Sequence, residues 1–261
     1  GTPREPVEDA VKNGKIIKIN VQCRREIMEV ENNKAVTFKQ LIMLIIARFL
    51  TPFTILFLSG DWFWVEGWLF GIGFLSIAFS STYYLYKKDP VLLAERFRLP
   101  GTGNQKSWDK YLLFLFFFLF ISWNIIMPLD AKRYIWTTSF PIWLEVFGGM
   151  ILLLSFFFLF RAFSDNTFLS PVVRMQKERK QYVVSTGVYS FVRHPMYLGA
   201  FLFFMGGSLL LSSKYGLIIG IIATLVLAIR ILGEEKMLVN ELEGYSEYRE
   251  KVKYRLIPYI W

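Results

Sequence analysis

The chain has 261 residues, of which 54% are hydrophobic and 18% aromatic, with 26 phenylalanines. Water-soluble domains rarely reach this composition, and the apolar residues stand in long blocks rather than at amphipathic spacing. The formal net charge of +9 would suit a nucleic-acid-binding protein. The basic residues, however, cluster in alternate connections between the blocks, which is the positive-inside pattern. We therefore expect the basic residues to interact with the headgroups of the lipid bilayer and not with nucleic acid.

Six apolar blocks are long enough, or nearly so, to cross about 30 Å of hydrocarbon as helices. They lie near residues 38–59, 62–86, 110–128, 140–163, 196–212 and 215–232, and the fifth is the shortest. Helices are expected because backbone in lipid must satisfy its own hydrogen bonds. The sequence thus predicts an all-α, polytopic membrane bundle of about six transmembrane helices, with both termini cytoplasmic.

The blocks divide the chain into three regions. Residues 1–37 form a polar segment that we expect in the cytoplasm, with no apolar stretch of a secretory signal. Within it, residues 15–21 suit a short strand or a loosely ordered tail. The single cysteine, Cys23, allows no internal disulfide and indicates no metal site. Residues 38–163 hold four spans and a cytoplasmic loop at 87–109, and residues 164–261 hold two spans among many ionisable residues.

The loop at 87–109 and the first span each contain one unusual feature. Gly101 to Lys106 has some character of a phosphate-binding loop, but it lacks the preceding strand and the full spacing. A turn between short interfacial helices is the better interpretation, with a helix starting at Pro90. Arg48 lies inside the first span, where a charge needs a partner or a wet cavity. Its role is left open between structural support, snorkelling and function.

The only histidine, His194, marks the start of the fifth span. Pro195 follows it, and proline is favoured in a first helical turn, where its missing N–H costs nothing. The free N–H groups of such a helix start attract carboxylates or phosphates, and Arg193 adds a forked donor for the same groups. The alternative is an Arg-His pair that only anchors the helix at the lipid headgroups.

A second polar cluster follows the sixth span. Arg230 and Glu234 are four residues apart, so they share one helix face, and Glu235 adds another carboxylate. Such charges beside an apolar span must be paired, solvated or used. One hairpin joins spans five and six, so both clusters meet at the same membrane face. The tail from 245 to 252 suits an amphipathic helix lying on the membrane or over the site.

Three motifs in this region carry a family resemblance. They are Gly-x-Tyr-x-x-x-Arg-His-Pro-x-Tyr-x-Gly ending at Gly199, Arg-x-x-x-Glu-Glu-x-x-Leu ending at Leu238, and Gly-Tyr-x-x-Tyr ending at Tyr248. Together they resemble the isoprenylcysteine carboxyl methyltransferase (ICMT) family and its prokaryotic relatives, which include phospholipid methyltransferase-like membrane enzymes. The resemblance covers about 165–261 and makes 164–261 a methyltransferase core.

The resemblance implies an integral membrane methyltransferase that uses S-adenosyl-L-methionine and has its active site on the cytoplasmic side. By motif position it gives cofactor contacts to Gln176, Gln181, Tyr182, Val183, Val184, Tyr189, Arg193, His194, Pro195, Met196, Tyr197 and Glu234. The resemblance implies that Arg230 faces the methyl acceptor, and it implies no metal site. Gln181 departs from the pattern, because the eukaryotic enzymes have histidine there.

The implied acceptor is lipophilic, and the carboxylate of an isoprenylcysteine-like or prenylated compound is favoured. A carboxylate needs no general base, whereas a phospholipid amine or a thiol must lose a proton, for which His194 or Glu235 is the nearest candidate. Arg230 and Glu235 are thus the predicted catalytic residues. A transporter or scaffold is disfavoured because no internal repeat is seen and the ionisable groups gather at one face. A sterol-reductase-like function, suggested by Arg-His-Pro alone, fits the later motifs less well.

Overall fold

The computed structural model describes residues 36–98, 100–101 and 104–261. The predicted short strand at 15–21 and Cys23 lie outside this range. The described part of the chain is helical, with turns between the helices and no strand, so the predicted all-α class is confirmed. The α-helices are, in chain order, α1 (Phe38–Ser59), α2 (Val65–Lys88), α3 (Pro90–Glu95), α4 (Ser107–Pro128), α5 (Ile142–Asp165), α6 (Pro195–Leu210), α7 (Lys214–Glu241) and α8 (Tyr245–Lys251).

Five helices of the described chain are long and apolar enough to cross a membrane, namely α1, α2, α4, α5 and α7. The fifth predicted span, at 196–212, corresponds to α6, which is apolar but has only 16 residues. At about 1.5 Å per residue it is shorter than the hydrocarbon layer. The protein is an integral membrane protein with multiple apolar helices, and α6 is its short member.

Local sequence signals account for several helix ends. Thr37 and Gln40 form a reciprocal capping box at the start of α1. Gly60 ends α1 in the left-handed conformation, with φ of 72°, which glycine adopts without strain. As predicted, Pro90 opens a short helix in the loop between α2 and α4, and the Asp89 side chain caps it by accepting from the Leu92 backbone N–H.

The core of the bundle is aromatic. Trp123 is fully buried and packs against Phe70, Phe203 and Phe204, with ring centroids 5.1 to 5.9 Å apart. Its indole N–H donates to Ser208 Oγ at 2.8 Å, so the polar atom of this large side chain is satisfied. This cluster holds α2, α4 and α6 together.

Small residues let α5 and α6 approach closely. A Cβ added at Gly148 or Gly206 would come within 2.5 to 2.6 Å of the backbone of the facing helix. Ser155 also donates across this contact to the Gly199 carbonyl at 2.7 Å. Close contact through small residues is the usual way in which membrane helices associate. It fixes where the start of α6 lies.

The helix connections gather at two ends of the bundle. At one end, fully buried Asp130 accepts from Thr137, Ser213 and the Tyr215 backbone N–H, which ties the π-helical turn after α4 to the start of α7. At the other end lie the loop between α3 and α4, the long connection between α5 and α6, the end of α7 and the tail. The predicted functional clusters all fall at this second end.

The last membrane helix differs most from its prediction. The sequence predicts a span at 215–232, whereas α7 continues unbroken to Glu241. The polar residues that suggested an end are stabilised by contacts with neighbouring segments rather than by water alone. The helix therefore carries Arg230, Glu234 and Glu235 at fixed angular positions.

Candidate active site

A polar cleft opens at the second end of the bundle. Its walls come from the connection after α5, the start of α6, the last turns of α7, and α8. The residues that line it are Asn166, Phe168, Leu169, Ser170, Val172, Val173, Arg174, Gln181, Tyr182, Val183, Val184, Tyr189, Arg193, His194, Pro195, Met196, Tyr197, Arg230, Glu234, Met237, Leu238, Leu242, Tyr245 and Tyr248. We refer to this set as the cleft.

Arg230 is held on one side of the cleft by a carboxylate from a distant helix. Its Nε donates to Asp109 Oδ1 at 2.6 Å, and its Nη2 donates to the Pro171 carbonyl at 2.8 Å. Asp109 lies in the first turn of α4, has no exposed surface, and also accepts from the Val173 backbone N–H. The guanidinium lies 5.7 Å from the Tyr197 ring centroid. Arg230 is thus fixed in place while it still borders the cleft.

Glu234 stands one helical turn further along α7 and is half-buried. Its Oε2 accepts from the Tyr197 hydroxyl at 2.7 Å. The side chain forms no ion pair with the described residues, and it lines the cleft. Glu234 therefore presents a carboxylate with unused acceptor capacity to a ligand.

Glu235 does not line the cleft, but two of its partners do. Its Oε1 accepts from Arg193 Nε at 2.6 Å and lies 3.3 Å from His194 Nε2, while its Oε2 accepts from Arg255 Nε at 2.8 Å. Arg193 in turn donates to the Val252 and Lys253 carbonyls. This Glu235 cluster joins α7, the start of α6 and the tail.

The Glu235→Gln substitution is expected to loosen the tail. Glutamine keeps one acceptor oxygen but loses the charge that faces two guanidinium groups, so we expect about 2 kcal/mol less stability. Hydrogen exchange should rise at residues 252–261. The control is Glu241→Gln, because the half-exposed Glu241 pairs only with Lys106 and such a pair contributes under about 1 kcal/mol. Equal exchange in both variants would contradict the assignment.

The connection between α5 and α6 is ordered by side-chain to backbone bonds. Buried Gln176 donates to the Phe168 carbonyl at 2.6 Å, and its backbone N–H donates to Gln181 Oε1 at 2.9 Å. Arg174 holds Glu95 through two bonds of 2.9 and 3.0 Å. Burial alone would raise the pKa of Glu95, but the bonds from Arg174 and Ser170 outweigh burial and hold this pKa below its usual value.

Three tyrosines close the far wall of the cleft. The Tyr248 hydroxyl donates to the Tyr189 carbonyl at 2.7 Å, whereas the Tyr245 hydroxyl is buried and has no hydrogen-bond partner among the described residues. Burial, followed by the nearby charges of Glu235 and Glu234, raises the pKa of Tyr245 well above its usual value. The Tyr245 hydroxyl thus stays protonated and is free to donate to a ligand.

The structure brings most of the predicted site residues to the cleft. All of them line it except Gln176 and Glu235, which are adjacent in space to lining residues but engaged in the bonds described above. Their chemical roles stay predictions. Gln181 lines the cleft and also supports Gln176, so one side chain serves the loop and the site.

Sequence reasoning did not select several residues that matter here. Asp109 is 121 positions from Arg230, and its only sequence signal is an acidic side chain in the first turn of a span. Met237, Leu238 and Leu242 form an apolar side of the cleft. Helical spacing from Glu234 could have found Met237 and Leu238, since residues three and four apart share a face.

The fold and the cleft define a polytopic membrane protein with a polar binding site at one end of its helical bundle. Residues 143–244 match the model of the phospholipid methyltransferase family. This match begins at the start of α5 and ends just before α8, so it contains most of the cleft. The predicted resemblance to the ICMT-like membrane methyltransferases is therefore confirmed for this part of the chain.

Two named relatives each match about a third of the chain. The protein-S-isoprenylcysteine O-methyltransferase of Saccharomyces cerevisiae is 41% identical over 93 residues, which cover 35% of this chain and 38% of that protein. The enzyme of the same name from Schizosaccharomyces pombe is 32% identical over 85 residues, which cover 32% of this chain and 36% of that protein. The match thus spans less than two-fifths of either relative.

A solved structure of the eukaryotic intramembrane Ras methyltransferase ICMT resembles the whole chain loosely. The alignment covers 95% of this chain and 94% of that one, with a TM-score of 0.47 and 18% sequence identity.

Proposed function

We propose that this protein is an integral membrane methyltransferase that moves a methyl group from S-adenosyl-L-methionine to the carboxylate of a lipophilic, isoprenylcysteine-like acceptor. The observation that carries the proposal is the meeting of Arg230, Glu234 and the His194–Pro195 helix start around one cleft, within the segment that matches methyltransferases. The lipophilic acceptor would enter the cleft laterally from the lipid bilayer.

The groups around the cleft fit the chemistry of this cofactor. S-adenosyl-L-methionine, when bound, supplies an electrophilic methyl group on a sulfonium centre. Glu234 would accept from the ammonium or ribose hydroxyls, and the α6 helix start with His194 would bind the carboxylate. The unpartnered Tyr245 hydroxyl would donate to a polar atom of the cofactor, which explains why a buried donor is left without a partner in the protein.

Arg230 would orient the acceptor. Asp109 holds its Nε, and the Pro171 carbonyl holds its Nη2, so the Nη1 group is left to bind one carboxylate oxygen. The acceptor oxygen already carries the electron pair that forms the new C–O bond, so this reaction needs no general base. The protein acts by aligning the two groups and excluding water. Glu235 and Gln176 would act as positioning residues for the helix start and the loop.

Because the matched family is described as phospholipid methyltransferases, a phospholipid amine is the alternative acceptor. An amine or thiol must lose a proton, and of the two predicted bases His194 lines the cleft, whereas Glu235 is bound to two arginines. We propose further that the cleft faces the cytoplasm, because the basic residues concentrate at that end. Residues 164–261, with the end of α5, would form the methyltransferase core.

The test of the function is radiolabelled methyl transfer by the purified full chain in membranes with defined acceptors. Label released by mild base as methanol is the expected result, because it marks a carboxyl methyl ester. Label retained in an amine headgroup, or recovered as a volatile thioether, would move the function to the alternative acceptor. No transfer to any acceptor, together with no saturable cofactor binding, would exclude a methyltransferase.

The Tyr245→Phe substitution separates cofactor binding from stability. Because the Tyr245 hydroxyl has no partner in the protein, its removal should leave thermal stability unchanged or raised. Affinity for S-adenosyl-L-methionine should fall by about five- to tenfold. Tyr248→Phe is the matched control, since it removes a bond to Tyr189 and should cost about 1 kcal/mol of stability. Unchanged affinity in Tyr245→Phe would argue against this contact.

A further inference from the structure

A groove lies on the outer surface of the bundle between α2 and α5, near the end that holds the cleft. It has a volume of about 610 Å³ and shares no lining residue with the cleft. The residues that line it are Ser80, Tyr83, Tyr84, Lys87 and Lys88 of α2 and Phe160 of α5. The five α2 residues are spaced at i, i+3, i+4, i+7 and i+8, so they form one polar stripe on a membrane-spanning helix. We call this stripe and Phe160 the outer groove.

The length of α2 places the two lysines of the outer groove at the level of the lipid headgroups. At about 1.5 Å per residue, the 24 residues of α2 span about 36 Å, which exceeds the roughly 30 Å of the hydrocarbon layer. The last turn of α2, which carries Lys87 and Lys88, therefore reaches the headgroups. Tyr83 and Tyr84 stand about one helical turn, or about 5 Å, deeper, and Ser80 about one turn deeper again.

Neither lysine of the outer groove is neutralised by a carboxylate of the described chain. Both side chains are exposed, and the ion pairs among the described residues include neither Lys87 nor Lys88. The adjacent carboxylate of Asp89 is occupied, because it accepts from the Leu92 backbone N–H and from the Thr167 hydroxyl. Lysines in a last helical turn also complement the helix dipole, so their charge alone does not define a binding site.

The hydroxyl groups beneath the lysines are the second observation. Within the described chain, the hydroxyls of Tyr83 and Tyr84 take part in no hydrogen bond, whereas Thr82 of the same helix donates to the Ala78 carbonyl at 2.8 Å. The Tyr84 ring packs edge-on against Phe160, with ring centroids 5.4 Å apart, so α5 holds this tyrosine in the groove. Two hydroxyl donors thus lie below two cations in a groove that is open to lipid.

We propose that the outer groove binds one anionic glycerophospholipid. Its phosphate pairs with Lys87 and Lys88, its glycerol and ester oxygens accept from the Tyr83 and Tyr84 hydroxyls, and an acyl chain lies beside Phe160. Cations, hydroxyls and an apolar surface follow one another with depth in the order of phosphate, ester and chain in such a lipid. An anionic headgroup gains from both lysines, whereas a choline headgroup brings a positive charge of its own. This site lies beyond the proposed function, because lipid binding here needs neither cofactor nor acceptor.

The test is native mass spectrometry of the purified full chain in detergent micelles, titrated with phosphatidylglycerol or phosphatidylcholine of the same acyl chains. We expect one phosphatidylglycerol to bind saturably and about tenfold more tightly than phosphatidylcholine. The double variant Lys87→Gln with Lys88→Gln should lose about tenfold in affinity for phosphatidylglycerol, and Lys87→Arg with Lys88→Arg should keep it within about twofold. The matched control is Lys177→Gln with Lys251→Gln, which removes the same charge from two exposed lysines outside the groove.

Three results would overturn the inference. They are equal affinity for the two lipids, an unchanged affinity for phosphatidylglycerol in the Lys87 and Lys88 glutamine variant, and an equal loss in the control, which would reduce the lysines to general surface charge. Displacement of the bound lipid by inorganic phosphate would likewise overturn it, in favour of a free-anion site. Thermal unfolding without added lipid should be the same in all variants, because the substituted side chains are exposed. The assay contains no cofactor or acceptor, so a failure of the proposed function would not affect its result.

Discussion

The Asp109→Asn substitution is expected to cause the largest loss of stability and to abolish methyl transfer. Asp109 has no exposed surface and holds Arg230 Nε, Gln105 Nε2 and the Val173 backbone N–H. Removing its charge leaves the Arg230 guanidinium buried without an anion, which costs about 3 to 5 kcal/mol. The free guanidinium should also turn away from the cleft. Reversible unfolding in mixed micelles measures the first effect, and methyl transfer measures the second.

The double variant Asp109→Asn with Arg230→Gln distinguishes stability from function. With both charges removed, no unpaired ion remains, so much of the lost stability should return. Activity should stay absent, because the proposed acceptor-binding guanidinium is gone. If Asp109→Asn alone is as stable and active as the original chain, the pair has neither role.

The Glu234→Ala substitution is expected to have the second large effect, on cofactor binding. Loss of the carboxylate that we propose to accept from the cofactor should weaken S-adenosyl-L-methionine binding by about 100-fold. Stability should change by less than about 1 kcal/mol, because Glu234 is half-buried and its one side-chain partner in the described chain is the Tyr197 hydroxyl. Equilibrium binding and thermal unfolding of the same preparation test both statements.

Tyr197→Phe is the control for this prediction. It removes the bond that orients Glu234 but leaves the carboxylate, so binding should weaken by about tenfold only. Substitutions at the neighbouring residues Glu234 and Glu235 should then have different effects. Those at Glu234 should weaken cofactor binding, and those at Glu235 should loosen the tail. A Glu234→Ala variant that binds the cofactor normally would remove Glu234 from the site.

The spans were largely predictable because lipid imposes one rule on long apolar segments. The first span is predicted at 38–59, and α1 is Phe38–Ser59. The start of α6 at Pro195 could be predicted, because proline is favoured in the first turn of a helix. The end of α7 could not be predicted from the sequence. Its last turns are stabilised by residues of distant segments, such as Arg193, which donates to Glu235.

The site was predictable as a set of residues but not as a set of contacts. The motifs indicated which part of the chain to examine, and the structure brings nearly all of those residues to the cleft. The partner of Arg230 could not be found, because Asp109 belongs to another helix and no local spacing links them. Glu235 differs from Glu234 only by its direction on the helix, which sequence alone does not show.

The most direct test of the central claim is cross-linking of radiolabelled S-adenosyl-L-methionine to the purified full chain by ultraviolet light, followed by peptide mapping. We expect saturable labelling of the chain that S-adenosylhomocysteine displaces, with the label in peptides that cover 181–197 or 230–248. Label confined to peptides from 38–163, or no labelling that the competitor displaces, would contradict the placement of the cofactor in the cleft.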